Sequence, residues 1–285
     1  MSTSAPAIPR SPRSTTATGG RASGSRIRLT QAGVMRSEWT KLYSLRSTRY
    51  ALLTTAVLTI GFGLIASAVT ASRWATMSVA DKATFSPLTT SLLGVRFGVL
   101  AIGVLGVLLI TGEYTTGMIR STMTAVPKRL PVLWAKTGVY ALVALAMTVP
   151  VALIAFFAGQ AFLSSQHLQI AFSHAGVLGA VLGAAGYLTL AGLFAMGLGA
   201  ILRSTAGGIA SFAGVMFVIP PLVEILPSSV ANSITPYLPS NAGDAMMQIG
   251  HHANTLSPGA GLAVFAAYAA VAIGAAAVLL VRRDV

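Results

Sequence analysis

The chain has 285 residues, of which 54% are hydrophobic and only 9% charged, against roughly a quarter charged in an ordinary soluble domain. So few charges exclude a water-facing surface of this size, and the lack of any cysteine excludes a disulfide framework, a thiolate nucleophile and zinc-finger spacing. The net charge of +13 would suit nucleic acid or an anionic membrane surface. The basic residues, however, sit at helix ends and in the N-terminal tail, with no nucleic-acid motif. Membrane lipid is the expected partner, and nucleic acid is not.

Residues 1–29 are rich in Ser, Thr, Pro, Gly and Arg and hold almost no large apolar residue. They read as a disordered basic cytoplasmic tail, with weak attraction to anionic lipid as the functional alternative. No cleavable signal peptide is expected, because the first long apolar block starts only near Tyr50. Residues 30–49 change character. On a helical wheel Met35, Trp39 and Leu42 share one side, while Arg36, Lys41 and Arg49 lie away from it and Arg46 does not. Glu38 and Lys41 are three apart and able to pair. An amphipathic helix lying in the interface is expected, with Trp39 at headgroup depth. A plain extension of the first span is the alternative.

The remainder, 30–285, is expected to form one all-α membrane domain. Spans are predicted at 50–71, 91–111, 132–158, 175–201, 206–226 and 259–281, each near the roughly 20 residues that cross a hydrocarbon core. Leu202 to Thr205 leave only a tight turn between the fourth and fifth. Pro220-Pro221 predict a kink or break in the fifth. Sixteen of the nineteen Lys and Arg residues fall on one side of such a six-span chain. That asymmetry places both termini in the cytoplasm. Gly94 with Gly98, and Gly179 with Gly183, have the spacing that lets helix backbones approach in lipid. Residues 227–258 are long enough for a re-entrant pair of helices or for a loop.

There is no phosphate loop, dinucleotide fingerprint, HExxH or GxSxG in the chain. Six acids are too few for most carboxylate-based catalysis, so an enzyme is not expected. His167, His174 and His251-His252 lack partners with ligand spacing, so no metal is expected. Glu113 and Glu224 lie near span ends in apolar context. A carboxylate there is costly unless interfacial or paired, and is often functional. For Glu113 the structural alternative is a snorkelling side chain paired with a nearby Lys or Arg. Glu224 suits a structural or interfacial role, with a proton or substrate role as the alternative.

The stretch from Gly112 to Lys136 carries Met118, Ile119 and Met123 in a loop expected in the cytoplasm. Apolar residues have little place there unless they dock into a partner's groove. Pro127 breaks any helix from Tyr114 to Ala125, and Pro131 suits the first turn of the third span. This stretch resembles the first cytoplasmic loop of the permease subunits of bacterial type-two ABC exporters. Members show a Glu ending the second span, a Gly four residues on, a short helix, a Pro, basic residues, and a Lys opening the third span. Here those positions are Glu113, Gly117, Pro127, Lys128, Arg129 and Lys136. Ser37 to Tyr50 resembles the family's N-terminal amphipathic segment.

The resemblance implies a multi-pass protein of the bacterial plasma membrane that exports a hydrophobic or amphipathic substrate. It implies a second permease protomer and a separate ABC ATPase subunit, on which ATP and magnesium would act. The 113–125 helix would sit in a cleft of that ATPase, anchored by Glu113, with Lys136, Arg120 or Arg129 able to pair with it. A non-transporting anchor or sensor subunit would use the same docking helix. An intramembrane enzyme would need facing buried acids or histidines, and a secondary transporter would show internal repeats. Neither feature is evident.

Overall fold

The computed structural model describes residues 31–44, 46–115, 117, 129–250 and 254–282. Its regular elements are helices among the described residues. Six segments are long and apolar enough to cross a membrane: Arg46–Thr76, Val95–Thr115, Leu130–Gln166, Val177–Leu202, Thr205–Glu224 and Pro258–Arg282. A short helix, α1 (Gln31–Ser44), precedes them. The basic tail at 1–29 lies outside the described residues.

The first span, α2 (Arg46–Arg73), inverts the logic of a soluble helix. Thr48, Thr55, Thr59, Gly63, Ser67 and Ala71 form its buried stripe, while Leu53, Val57 and Ile65 are exposed. In lipid the bulky residues lose nothing by facing outward, and small residues inside allow close contact. The second span, α5 (Val95–Thr115), meets that stripe. A side chain at Gly94 would strike the Thr59 backbone, and one at Gly98 the Thr59 hydroxyl. Gly183 lies equally close to the Met246 carbonyl, whereas Gly179 has open space around it among the described residues. Only one member of that second glycine pair therefore seats a neighbour here.

Between the first two spans lie two short helices that hydropathy did not reveal, α3 (Val79–Thr84) and α4 (Pro87–Ser91). Ser78 caps α3 by accepting from the Asp81 amide, and Ser86 caps α4 by accepting from the Thr89 amide. The third span, α6 (Arg129–Leu163), has 35 residues. It outruns the predicted 132–158 at both ends and starts early because Pro131 fits a first turn, where no amide partner is needed. At its far end Gln160 is fully used. It donates to the Pro87 carbonyl (3.1 Å) and Ser91 Oγ (2.8 Å) and accepts from the Ile170 amide (2.8 Å).

The fourth span, α7 (Val177–Leu202), and α5 form the centre, with 67% and 61% of their apolar windows buried. Tyr140 of α6 is sealed between them, donating its hydroxyl to the Ile102 carbonyl at 3.1 Å, with Gly192 making room for the ring. The turn after α7 is as short as expected. Arg203 takes left-handed φ of 52°, and Ser204 caps α8 (Thr205–Ala213).

Of the kink or break expected in the fifth span, the structure shows an irregular turn within a continuous helix. The helix passes through a π turn at Gly214–Val218 into α9 (Ile219–Glu224), with Pro220 and Pro221 in its first turn. A π turn absorbs the missing proline amides by widening the helix rather than ending it.

The 227–258 stretch holds helices α10 (Ser228–Ile234) and α11 (Pro239–Ala245) before the sixth span, α12 (Pro258–Arg282). Ala242, Ala245, Met246 and Met247 are buried, so this stretch packs into the bundle instead of trailing from it.

Candidate functional site: a buried ion-pair cluster

The end of α5 that leads into residues 116–128 carries Glu113, which is 8% exposed. Lys136, two turns into α6, is 3% exposed, and Glu38, on the inward side of α1, is 2% exposed. Lys136 Nζ donates to Glu38 Oε2 at 2.6 Å and to Glu113 Oε1 at 2.9 Å. Lys41 Nζ completes the set, 2.7 Å from Glu38 Oε1 and 3.3 Å from Glu113 Oε1. Among the described residues, two carboxylates and two ammonium groups thus meet in one cluster that joins three helices. Charges withdrawn from water are tolerated in this way, each with an opposite partner and a hydrogen bond.

The electrostatics follow from that geometry. Burial pushes the Glu38 carboxyl upward, but the Lys136 and Lys41 ammonium groups outweigh it and hold the group below its ordinary 4.5. Burial pushes Lys41 down, yet its hydrogen bond to Glu38 and the Glu113 charge leave it above its ordinary 10.5. A lowered acid contributes stability that is complete above its ordinary value and is lost as pH falls through the lowered one. A raised base contributes stability that is complete below its ordinary value and is lost as pH rises through the raised one. The docking of α1 should therefore be flat from 4.5 to 10.5 and loosen in stronger acid or base. Spin labels at Thr40→Cys and Leu130→Cys, on a chain with no cysteine of its own, would read this as a distance that broadens only outside that window.

A second set of contacts grips the same end of α5. Thr205 Oγ1 donates to Thr111 Oγ1 at 2.8 Å, and the Arg203 guanidinium lies 5.4 Å from the Tyr114 ring centre. The end of α5 is thus held by α1 and α6 and also by the α7–α8 turn.

Of the residues singled out in the sequence, Glu113 and Lys136 come together directly. Gly117 is exposed with φ of +70°, a left-handed value that glycine adopts readily. Arg129 opens α6, and its side chain is outside the described set. Met118, Ile119, Arg120, Met123, Pro127 and Lys128 lie outside the described residues, as do His251 and His252. Met35 and Trp39 are exposed, at 42% and 46%, on a helix whose inward position is taken by Glu38. The side chain of Leu42 is outside the described set. Glu224 is exposed at the end of α9.

The sequence reading paired Glu38 only with Lys41, its neighbour on the same helix. It missed the link from Glu38 to Lys136, 98 positions away. Glu38 is an acid in the middle of an otherwise basic segment, and that was the signal available.

Compared with protein-family models and with curated proteins, the chain matches none. Its class rests on its own six apolar helices. It is a multi-pass helical membrane protein.

Proposed function

We propose that the chain is the permease subunit of an ATP-driven ABC exporter, moving a hydrophobic or amphipathic substrate. Coupling runs from a separate ATPase subunit, where ATP and magnesium act, through residues 113–125. A second permease protomer completes the transport path.

The observation that carries this reading is the four-charge cluster. It fastens the α5 end, which enters the 116–128 stretch, to the α6 start, which leaves it, and locks both to α1. Such a cluster adds little net stability over an apolar packing of the same shape. Its value is directional. A push delivered to the stretch between Glu113 and Lys136 reaches three helices together rather than bending one helix end. The apolar residues Met118, Ile119 and Met123 give that stretch something to seat in a partner's cleft.

Single cysteines test the placement that coupling requires. Thr124→Cys should react with a membrane-impermeant maleimide only after cells are opened. Ser165→Cys, at the opposite end of α6, should react in intact cells. Labelling of Thr124→Cys from outside would end the exporter reading.

A further inference from the structure

Some 17 residues separate Arg96 from Glu113 along α5, which at about 1.5 Å per residue puts roughly 26 Å between the ends they mark. The Arg96 end holds a cavity of about 200 Å³ lined by Thr89, Thr90, Arg96, Asp244, Met247 and Gln248. Three parts of the chain build it: the end of α4, the first turn of α5, and the last turn of α11 with the turns that follow it. Arg96 Nη2 donates to Asp244 Oδ2 at 2.8 Å. The other carboxylate oxygen, Asp244 Oδ1, is sealed from solvent with no hydrogen-bond partner among the described residues, and so is Gln248 Oε1.

Two desolvated acceptors on residues that line one cavity are an unusual expense. Buried polar atoms are nearly always satisfied, and an exception calls for a reason. Burial also raises the Asp244 carboxyl above its ordinary value, and Arg96 offsets this only in part. The site is therefore short of donors around the carboxylate. Arg96 is in the converse position. Its side chain is 63% exposed, and one of its terminal nitrogens is engaged by Asp244, which leaves donors at the cavity rim for an anion.

We propose that this cavity binds a zwitterionic group with a primary ammonium beside an anionic oxygen. The ammonium donates to Asp244 Oδ1 and Gln248 Oε1, and the anionic oxygen rests on Arg96. Thr89 and Thr90 supply hydroxyls at the wall. The phosphoethanolamine head of a membrane lipid and a small soluble zwitterion share this chemistry. The site stands apart from the ion-pair cluster, so it does not depend on the coupling reading.

The test uses the full chain purified in a non-ionic sugar detergent. Calorimetric titration with O-phosphoethanolamine should show saturable binding. Phosphocholine, whose quaternary nitrogen has no N–H to donate, should bind at least tenfold more weakly, and inorganic phosphate weaker still. Gln248→Ala and Asp244→Asn should each lower the affinity at least tenfold. Gln248→Ala is the safer of the two, because it leaves the Arg96–Asp244 pair intact.

A second arm asks for the source. Protein extracted from vesicles of equal phosphatidylethanolamine and phosphatidylcholine should retain the ethanolamine lipid preferentially if the natural ligand is a lipid head. Binding of the soluble probe without that enrichment assigns the site to a solute. Equal affinity for phosphoethanolamine and phosphocholine, unchanged affinity in Gln248→Ala, or no binding in either arm would overturn the proposal.

Discussion

Lys136→Ala should be the most damaging single substitution at the ion-pair cluster. It removes two charge-assisted hydrogen bonds, at 2.6 and 2.9 Å. It leaves Glu38 and Glu113, 2% and 8% exposed, with only Lys41 between them. Stranding buried charge in this way costs about 3–5 kcal/mol. The expected readout is a large drop in thermal unfolding temperature in detergent, together with early proteolysis of α1. Lys41→Ala should cost much less, since Lys41 is the most exposed member, with 30% of its side chain accessible, and exposed pairs contribute about 1 kcal/mol or less. Equal losses from the two substitutions would refute the burial argument.

Replacing all four members by apolar residues of similar size (Glu38→Met, Lys41→Met, Glu113→Leu and Lys136→Met together) should recover most of that loss. No charge is then left uncompensated, and buried ion pairs give way to apolar packing at little net cost. This variant separates stability from the role proposed for the cluster. A stable protein that no longer couples would mean that the charges direct force rather than hold the fold together.

Glu113→Ala should have the largest functional effect. The chain should still insert with six spans, because hydropathy sets insertion and Glu113 lies at a span end. Reconstituted with the ATPase subunit proposed above, the variant should lose transport-coupled ATP turnover by tenfold or more, about 1.4 kcal/mol on the activation barrier. The reason is geometric. Glu113 Oε1 accepts from both Lys136 and Lys41, so its loss frees the α5 end from α6 and α1 together. Normal export by Glu113→Ala would count against the coupling role. Stimulated ATPase activity without substrate movement in the unmodified chain would favour a non-transporting anchor subunit instead.

Much of this was legible in the sequence, for identifiable reasons. Six apolar blocks define the spans because the bilayer demands length and apolarity before anything else. Pro131 and the Leu202–Thr205 turn were readable because proline and short polar turns act locally. Glu113 stood out as a charge at a span end, and Lys136 only through the family resemblance. What was hidden depends on contacts between distant segments. A helical wheel orders residues around α1 but does not say which side meets the bundle, so Glu38 kept only its nearest neighbour as a partner. Helices α3 and α4 fall below any hydropathy signal. Ser78 with Asp81 three residues on, and Ser86 before Pro87, are start signals that a closer reading for caps would have caught. The Asp244–Arg96 pair spans 148 positions and leaves no local trace.

The π turn at Gly214–Val218 has a geometric corollary. It stores one residue more than an α turn, and each residue accounts for about 100° of rotation about the axis. Were that surplus residue drawn back into regular winding, everything downstream would swivel by roughly that angle and advance by about 1.5 Å. Glu224 and then helices α10 and α11 follow this point in the chain. The fifth helix thus keeps its two prolines within one continuous winding, and that single extra residue sets the direction faced by everything beyond them.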